Sequence, residues 1–206
     1  MGGFTSRTSN DKSQETAHHK MTLVDATADH GLKQYQERLT ALHGSNKKLP
    51  KFVPVPDKSL GLITKVYDGD TLTLLCEVGG RITQLSVRIL GIDTPELHRG
   101  KAPHEGQTAK LIRDLVNDLF LGKFASVSNC DTDKYGRLLA TVFVHCDLPA
   151  REHLPSLKGT VDVGEFLKEH KLAYTYGGGT KVEFTQEDLT SMRNTCEQLR
   201  HTLTSD

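Results

Sequence analysis

From about Ser59 the chain alternates apolar and polar positions, or runs apolar almost without a break. The stretches are "LGLITKVY", "DTLTLLCEV", "RITQLSVRILGI", "FASVSN" and "LLATVFVH". Rich in β-branched residues and bounded by turn residues, these runs predict five strands. Between the third and fourth the apolar period lengthens to that of a helix. In "GQTAKLIRDLVNDLF", Leu111, Leu115 and Leu119 lie beside Ile112, Val116 and Phe120 to form one stripe, and Gly122 supplies the stop. A second helix is predicted from Asp162, with Glu165 as its capping pair and Val163, Phe166, Leu167 and His170 on one face. A third is predicted from about Gln186 to Leu203, its apolar face being Leu189, Met192, Cys196, Leu199 and Leu203.

Five short strands with one helix after the third predict an α+β fold: a five-stranded OB-type β-barrel with three α-helices packed on it. Upstream the texture differs. Residues 1–27 are polar and aperiodic, a composition that predicts disorder. Leu32, Tyr35, Leu39 and Leu42 then fall three to four apart, predicting a short amphipathic helix that packs on the main domain. Gly44 to Pro56 reads as a linker punctuated by Pro50, Pro54 and Pro56. The expected organisation is a flexible N-terminal extension over 1–57 and one folded domain over 58–206.

Composition narrows the function classes only slightly. Of 206 residues 36% are apolar and 25% charged, and 26 basic residues balance 26 acidic ones. A zero net charge means that any phosphate-binding field is local. Cys76, Cys130, Cys146 and Cys196 show no C-x-x-C spacing and are expected as reduced thiols. No apolar run approaches a membrane span or a signal peptide, which leads to the expectation of an intracellular, monomeric protein. The opening "MGGFTS" fits a myristoylation pattern with Gly2 as acceptor. A single acyl chain would give weak membrane association; the competing reading is a chance match in a disordered arm.

Three charged clusters interrupt the apolar framework, each at a strand end: Asp68-Gly69-Asp70-Thr71, then Arg88 with Asp93-Thr94-Pro95-Glu96, then Asp133-Lys134-Tyr135-Gly136-Arg137. Each has an ordinary reading as a turn. Asp-Gly between apolar runs is a strong hairpin signal, because glycine tolerates positive φ. Pro95 stiffens the corner that carries Asp93 and Glu96. Taken together, the carboxylates and arginines suit phosphodiester hydrolysis. Paired aspartates are hard ligands for Ca²⁺ or Mg²⁺, a further carboxylate activates water, and arginine forks match charge on phosphorus.

The series "VYDGDT … VRILGIDTPE … DKYGR", in that order and spacing, resembles the staphylococcal nuclease (thermonuclease) family over roughly residues 58 to 203. The resemblance implies an OB-fold enzyme that cleaves DNA and RNA, single-stranded or denatured above all, with Ca²⁺, leaving 3′-phosphate ends. It implies Asp70, Asp93 and the carbonyl of Thr94 as metal ligands and Asp68 as an outer carboxylate. Glu96 becomes the general base, and Arg88 and Arg137 bind phosphate and stabilise the transition state. Lys134 and Tyr135 match positions that contact the 3′ side of the nucleotide, and Tyr174 and Tyr176 match the tyrosines lining the base pocket.

Several features depart from the family pattern. "LHRGKAPHEGQ" is shorter and less lysine-rich than the family's mobile loop, although His98, Arg99, Lys101 and His104 are candidates for backbone-phosphate contact. "CDLPAREHLPSLKG" is an extra segment before the second helix, and three glycines follow Tyr176. The leading expectation is a metal-dependent nuclease in which loss of Glu96, Arg88 or Arg137 abolishes turnover while the fold survives. The alternative is a catalytically silent OB-type nucleic-acid-binding or scaffold module, weakened by the 6% aromatic content. A lipid-anchored calcium sensor ranks last, because no EF-hand spacing is present.

Overall fold

A computed structural model describes residues 29–45, 55–98 and 104–204. Expectations for 1–27, Gly2 among them, and for most of the linker lie outside the described residues, as do Arg99 and Lys101.

Among the described residues the chain forms a six-stranded sheet, a two-stranded sheet and four helices. The main sheet contains β1 (Leu60–Asp68), β2 (Thr71–Val78), β3 (Arg81–Ile89), β5 (Phe124–Thr132), β6 (Leu138–Leu148) and β7 (Leu157–Asp162). Its order is β3-β2-β1-β5-β6-β7, every neighbouring pair antiparallel. A parallel pairing then joins β3 to β6, with Val87 opposite Leu138 and Arg88 opposite Leu139. Each of β1, β2, β3, β5 and β6 is therefore bonded to two others of the five.

Burial follows the sequence pattern strand by strand. On β6 the alternation is clean, with Leu138, Ala140, Val142, Val144 and Cys146 facing the core. The run "LTLLC" in β2 does not alternate, because both faces of that strand are covered. Leu72, Leu74 and Cys76 enter the main core, whereas Leu75 joins Leu60 and Leu62 on the opposite face. Covering that face is α1 (Asp29–His43), which inserts Tyr35 and Leu39. The Tyr35 hydroxyl donates to the Leu60 carbonyl at 3.0 Å and accepts from the Glu77 N–H at 2.9 Å. The helix expected upstream thus packs on the sheet as its apolar stripe predicts.

Helix α2 (Glu105–Phe120) buries Ile112, Leu115, Val116, Leu119 and Phe120; Leu111 is half-buried at the edge of the stripe. Gly122 ends it at φ 74°, and its N–H reaches the Ile63 carbonyl. Helix α3 (Val163–Glu169) is capped by Asp162, whose carboxylate accepts from the N–H groups of Gly164 and Glu165. Glu165 does not close a capping box; its carboxylate pairs with Lys168 instead. Helix α4 (Gln186–Thr204) packs on α2 through Leu189, Met192, Cys196 and Leu199, and Arg200 bonds Asp118 across the pair at 2.7 Å.

Among the described residues three strands go beyond the sequence expectation of five. The extra segment after Cys146 contains β7, an edge strand that exposes Lys158, Gly159 and Thr160 and so lacks an apolar period. The third run also breaks at Leu90-Gly91, where Gly91 takes φ 81°, and resumes as β4 (Ile92–Asp93), paired with β8 (Tyr174–Thr175). All four cysteines are free thiols, as expected.

Candidate nuclease site

The Gly69-Asp70 turn joins β1 to β2, with Asp68 opposite Thr71. Its glycine is required by space rather than by positive φ, which corrects the hairpin reading. Gly69 is absent from the positive-φ glycines, but a Cβ there would lie 2.8 Å from Ile112 Cγ2 and 3.0 Å from Thr94 Oγ1. The missing side chain lets this turn close against α2 and the Asp93-Thr94 corner. The Thr94 N–H then donates to Asp70 Oδ2 at 3.1 Å, and the Ile89 N–H to the Asp70 carbonyl at 2.8 Å. The first two charged clusters of the sequence are thereby one site.

Arg88, at the end of β3, stands between them. Its Nη2 donates to Asp93 Oδ1 at 3.0 Å and its Nη1 pairs with Asp70 Oδ2. All three side chains are almost wholly out of solvent, Arg88 being 10% exposed. The planar guanidinium meets the two carboxylates with two different nitrogens, a fork that an ammonium does not have. Glu96 lies at the rim, its side chain 40% exposed, and its N–H donates to the buried Glu105 at 3.1 Å. Lys181 Nζ sits 2.6 Å from both Asp93 Oδ1 and Glu96 Oε1. The glycine-rich stretch around Lys181 carries no periodic or motif signal, so sequence reasoning passed over it. Glu105 was likewise missed, read only as part of a loop.

The site is short of positive charge. Asp68, Asp70, Asp93 and Glu96 face two cations, Arg88 and Lys181. Burial, and next the charge of Asp70, push the Asp68 carboxyl up to about 7. Burial also raises Asp93, against the opposing pull of Lys181 and Arg88. For Lys181 the carboxylates win: burial works to discharge it, but Asp93 and Glu96 raise it above the ordinary lysine range. Thr94 Oγ1 is buried beside Gly69 with no hydrogen-bond partner among the described residues. Hard oxygens, excess negative charge and an orphaned hydroxyl suit a divalent cation. Among the described residues no three His, Cys, Asp or Glu side chains gather as a metal cage.

The third cluster is folded around Asp133. Its Oδ1 accepts from the N–H groups of Tyr135 and Arg137, both at 2.9 Å, and its Oδ2 from Arg137 Nε at 2.6 Å. These bonds outweigh burial and hold the Asp133 carboxyl below its usual range. Tyr135 is 72% exposed, with Lys134 Nζ 5.1 Å from its ring centroid. Arg137 immediately precedes Leu138, which pairs with Val87, so the loop opens beside the end of β3 that carries Arg88.

The tyrosines flank the site through β8. Tyr174 pairs with Asp93 in the small sheet, and the Tyr176 N–H donates to the Gly91 carbonyl. The Tyr174 ring stacks on Phe184 at 4.6 Å, and burial, then Asp188, push its hydroxyl up to about 12. Tyr176 donates to the Gly179 carbonyl at 2.8 Å. His98 and His104 are exposed on either side of the undescribed stretch.

At the strand ends of this α+β fold a buried arginine forks between two aspartates, with a further carboxylate at the rim. A family model for the staphylococcal nuclease homologues matches residues 86–202, more than half of the chain. The chain belongs to that family. Asp68 and Asp70 precede the matched stretch and join it in space. "Probable endonuclease LCL3" of Coccidioides posadasii is 29% identical over 61% of this chain and 43% of its own length. "Uncharacterized protein MJ1439" of Methanocaldococcus jannaschii is 32% identical over 46% of this chain and 53% of its own. "Protein ParB" of Escherichia coli is 32% identical over 46% and 48%. The chain thus spans about half the length of the curated relatives it matches.

Proposed function

We propose that this chain is a calcium-dependent nuclease, with Mg²⁺ as a substitute, that hydrolyses phosphodiester bonds in DNA and RNA and leaves 3′-phosphate ends. The observation that carries this reading is the fork of Arg88 between Asp70 and Asp93, with Glu96 at the rim of the same cluster. Family membership and the endonuclease name of a relative support it.

In this reading Asp70, Asp93 and the Thr94 carbonyl would hold the metal, with Asp68 outside them. A divalent cation there would supply charge to neutralise a non-bridging phosphate oxygen. Glu96, half-exposed at the rim, takes the proton of the attacking water. Arg88 and Arg137 bind the phosphate and stabilise the charge that builds on five-coordinate phosphorus. Arg137 is held at Nε by Asp133, which presets the direction of its fork. Lys134 and Tyr135 meet the nucleotide on the 3′ side, and Tyr174 and Tyr176 line the base pocket. Residues 58–206 form the nuclease domain, its ring of five paired strands an OB-type barrel, and 1–57 form an extension to it. The protein acts as a monomer on single-stranded or denatured nucleic acid.

End chemistry tests the reading. A 5′-labelled single-stranded oligonucleotide is incubated with the protein and calcium, then with excess chelator. The expected products shift on phosphatase treatment, as 3′-phosphates do, and chelation stops their formation. Intact substrate, or fragments ending in 3′-hydroxyl groups, would contradict it.

A further inference from the structure

Lys181 belongs to the segment between β8 and α4, and it reaches the cluster from outside. Its ammonium lies 2.6 Å from Asp93 Oδ1 and 2.6 Å from Glu96 Oε1. Asp93 Oδ1 also accepts from Arg88 at 3.0 Å, so one oxygen of a buried carboxylate carries two cationic donors. These two cations are held differently. Arg88 is locked between aspartates, whereas the Lys181 side chain is 42% exposed and ends a flexible four-carbon stem. A divalent cation on Asp93 would draw on the oxygen that Lys181 holds. It would also repel the ammonium at close range in a partly desolvated site.

We propose that Lys181 is a resident counter-ion that holds the Asp93–Glu96 pair until a divalent metal displaces it, and so sets the calcium concentration at which the site loads. This inference rests on the metal-dependent reading above. Displacement also releases Glu96 Oε1, an oxygen of the carboxylate assigned to water activation, so loading the site and freeing its base are one event. A lysine that merely tied its loop to the domain would behave differently. Its removal would leave metal binding unchanged or weaken it.

Isothermal titration calorimetry with calcium on the full chain separates the two. Wild type is compared with Lys181→Gln and with Lys181→Arg, which keeps the charge. Lys181→Gln is expected to tighten calcium binding on the order of tenfold, while Lys181→Arg stays near wild type. Thermal melts give a second readout. In chelator, Lys181→Gln should melt below wild type, and calcium should raise its melting temperature by the larger increment. Equal or weaker calcium binding by folded Lys181→Gln, or no calcium binding by any of the three, would overturn the inference. Tighter binding with no cleavage by any variant would leave it standing and overturn the nuclease reading. Calcium-dependent cleavage with unchanged affinity would do the reverse.

Discussion

Arg88 and Arg137 are assigned to the same phosphate, yet they are embedded differently, and their loss should differ accordingly. Arg88 compensates two buried aspartates, so Arg88→Met strands Asp70 and leaves Asp93 with Lys181 alone. Breaking a buried pair in this way costs about 3–5 kcal/mol. Arg137 is a third exposed and pairs with one carboxylate on a loop, a setting in which a substitution costs about 1 kcal/mol or less. Urea melts of Arg88→Met and Arg137→Met at neutral pH should show this gap, while both lose turnover. The sequence expectation that the fold survives either loss is tested most severely at Arg88. Asp133 adds a pH signature. Its folded pKa is depressed, so its contribution is present above the unfolded aspartate value, about 4, and is lost as pH falls through the folded value. The melting temperature of Asp133→Asn should lie below wild type at neutral pH and converge on it in acid.

At the scale of elements, the long periodic ones were legible in the sequence. The stripes of α1, α2 and α4 and the alternation of β6 each follow from which face is buried. The edge strand β7 was not, because three successive exposed residues leave no pattern to read. The two-residue β4 and β8 are too short for periodicity and exist through their pairing with each other. Of the site, the residues supplied by motifs were legible as a resemblance, and the structure brings Asp70, Arg88, Asp93 and Glu96 into one cluster. Lys181 comes from a segment far along the chain and Glu105 opens α2 ahead of its apolar period, so only the fold delivers them. Helix α1 is where an element can be tested alone. Leu39 is fully buried against Leu60, Leu62 and Leu75. Leu39→Ala should cost about 2–4 kcal/mol in a urea melt. A change under about 0.5 kcal/mol, the size expected for a surface position, would mean that α1 adds nothing to the domain.

For the molecule as a whole, zero net charge is compatible with a polyanionic substrate because the field is local. The acidic cluster is balanced in part by Arg88 and Lys181, while Lys134, Tyr135 and Arg137 present cations and an aromatic face on the neighbouring loop. The two charged groups lie at different strand ends, brought together by the β3–β6 pairing and by the bare Gly69 turn. The measurement that tests this account most directly is release of acid-soluble nucleotides from heat-denatured DNA in calcium, wild type against Glu96→Gln. Glu96→Gln keeps the shape of the rim and removes the base. The account predicts calcium-dependent release by wild type and a loss of at least about a hundredfold in Glu96→Gln, the low end of what a general base contributes. Equal release by the two folded proteins, or none by wild type in any metal, would contradict it.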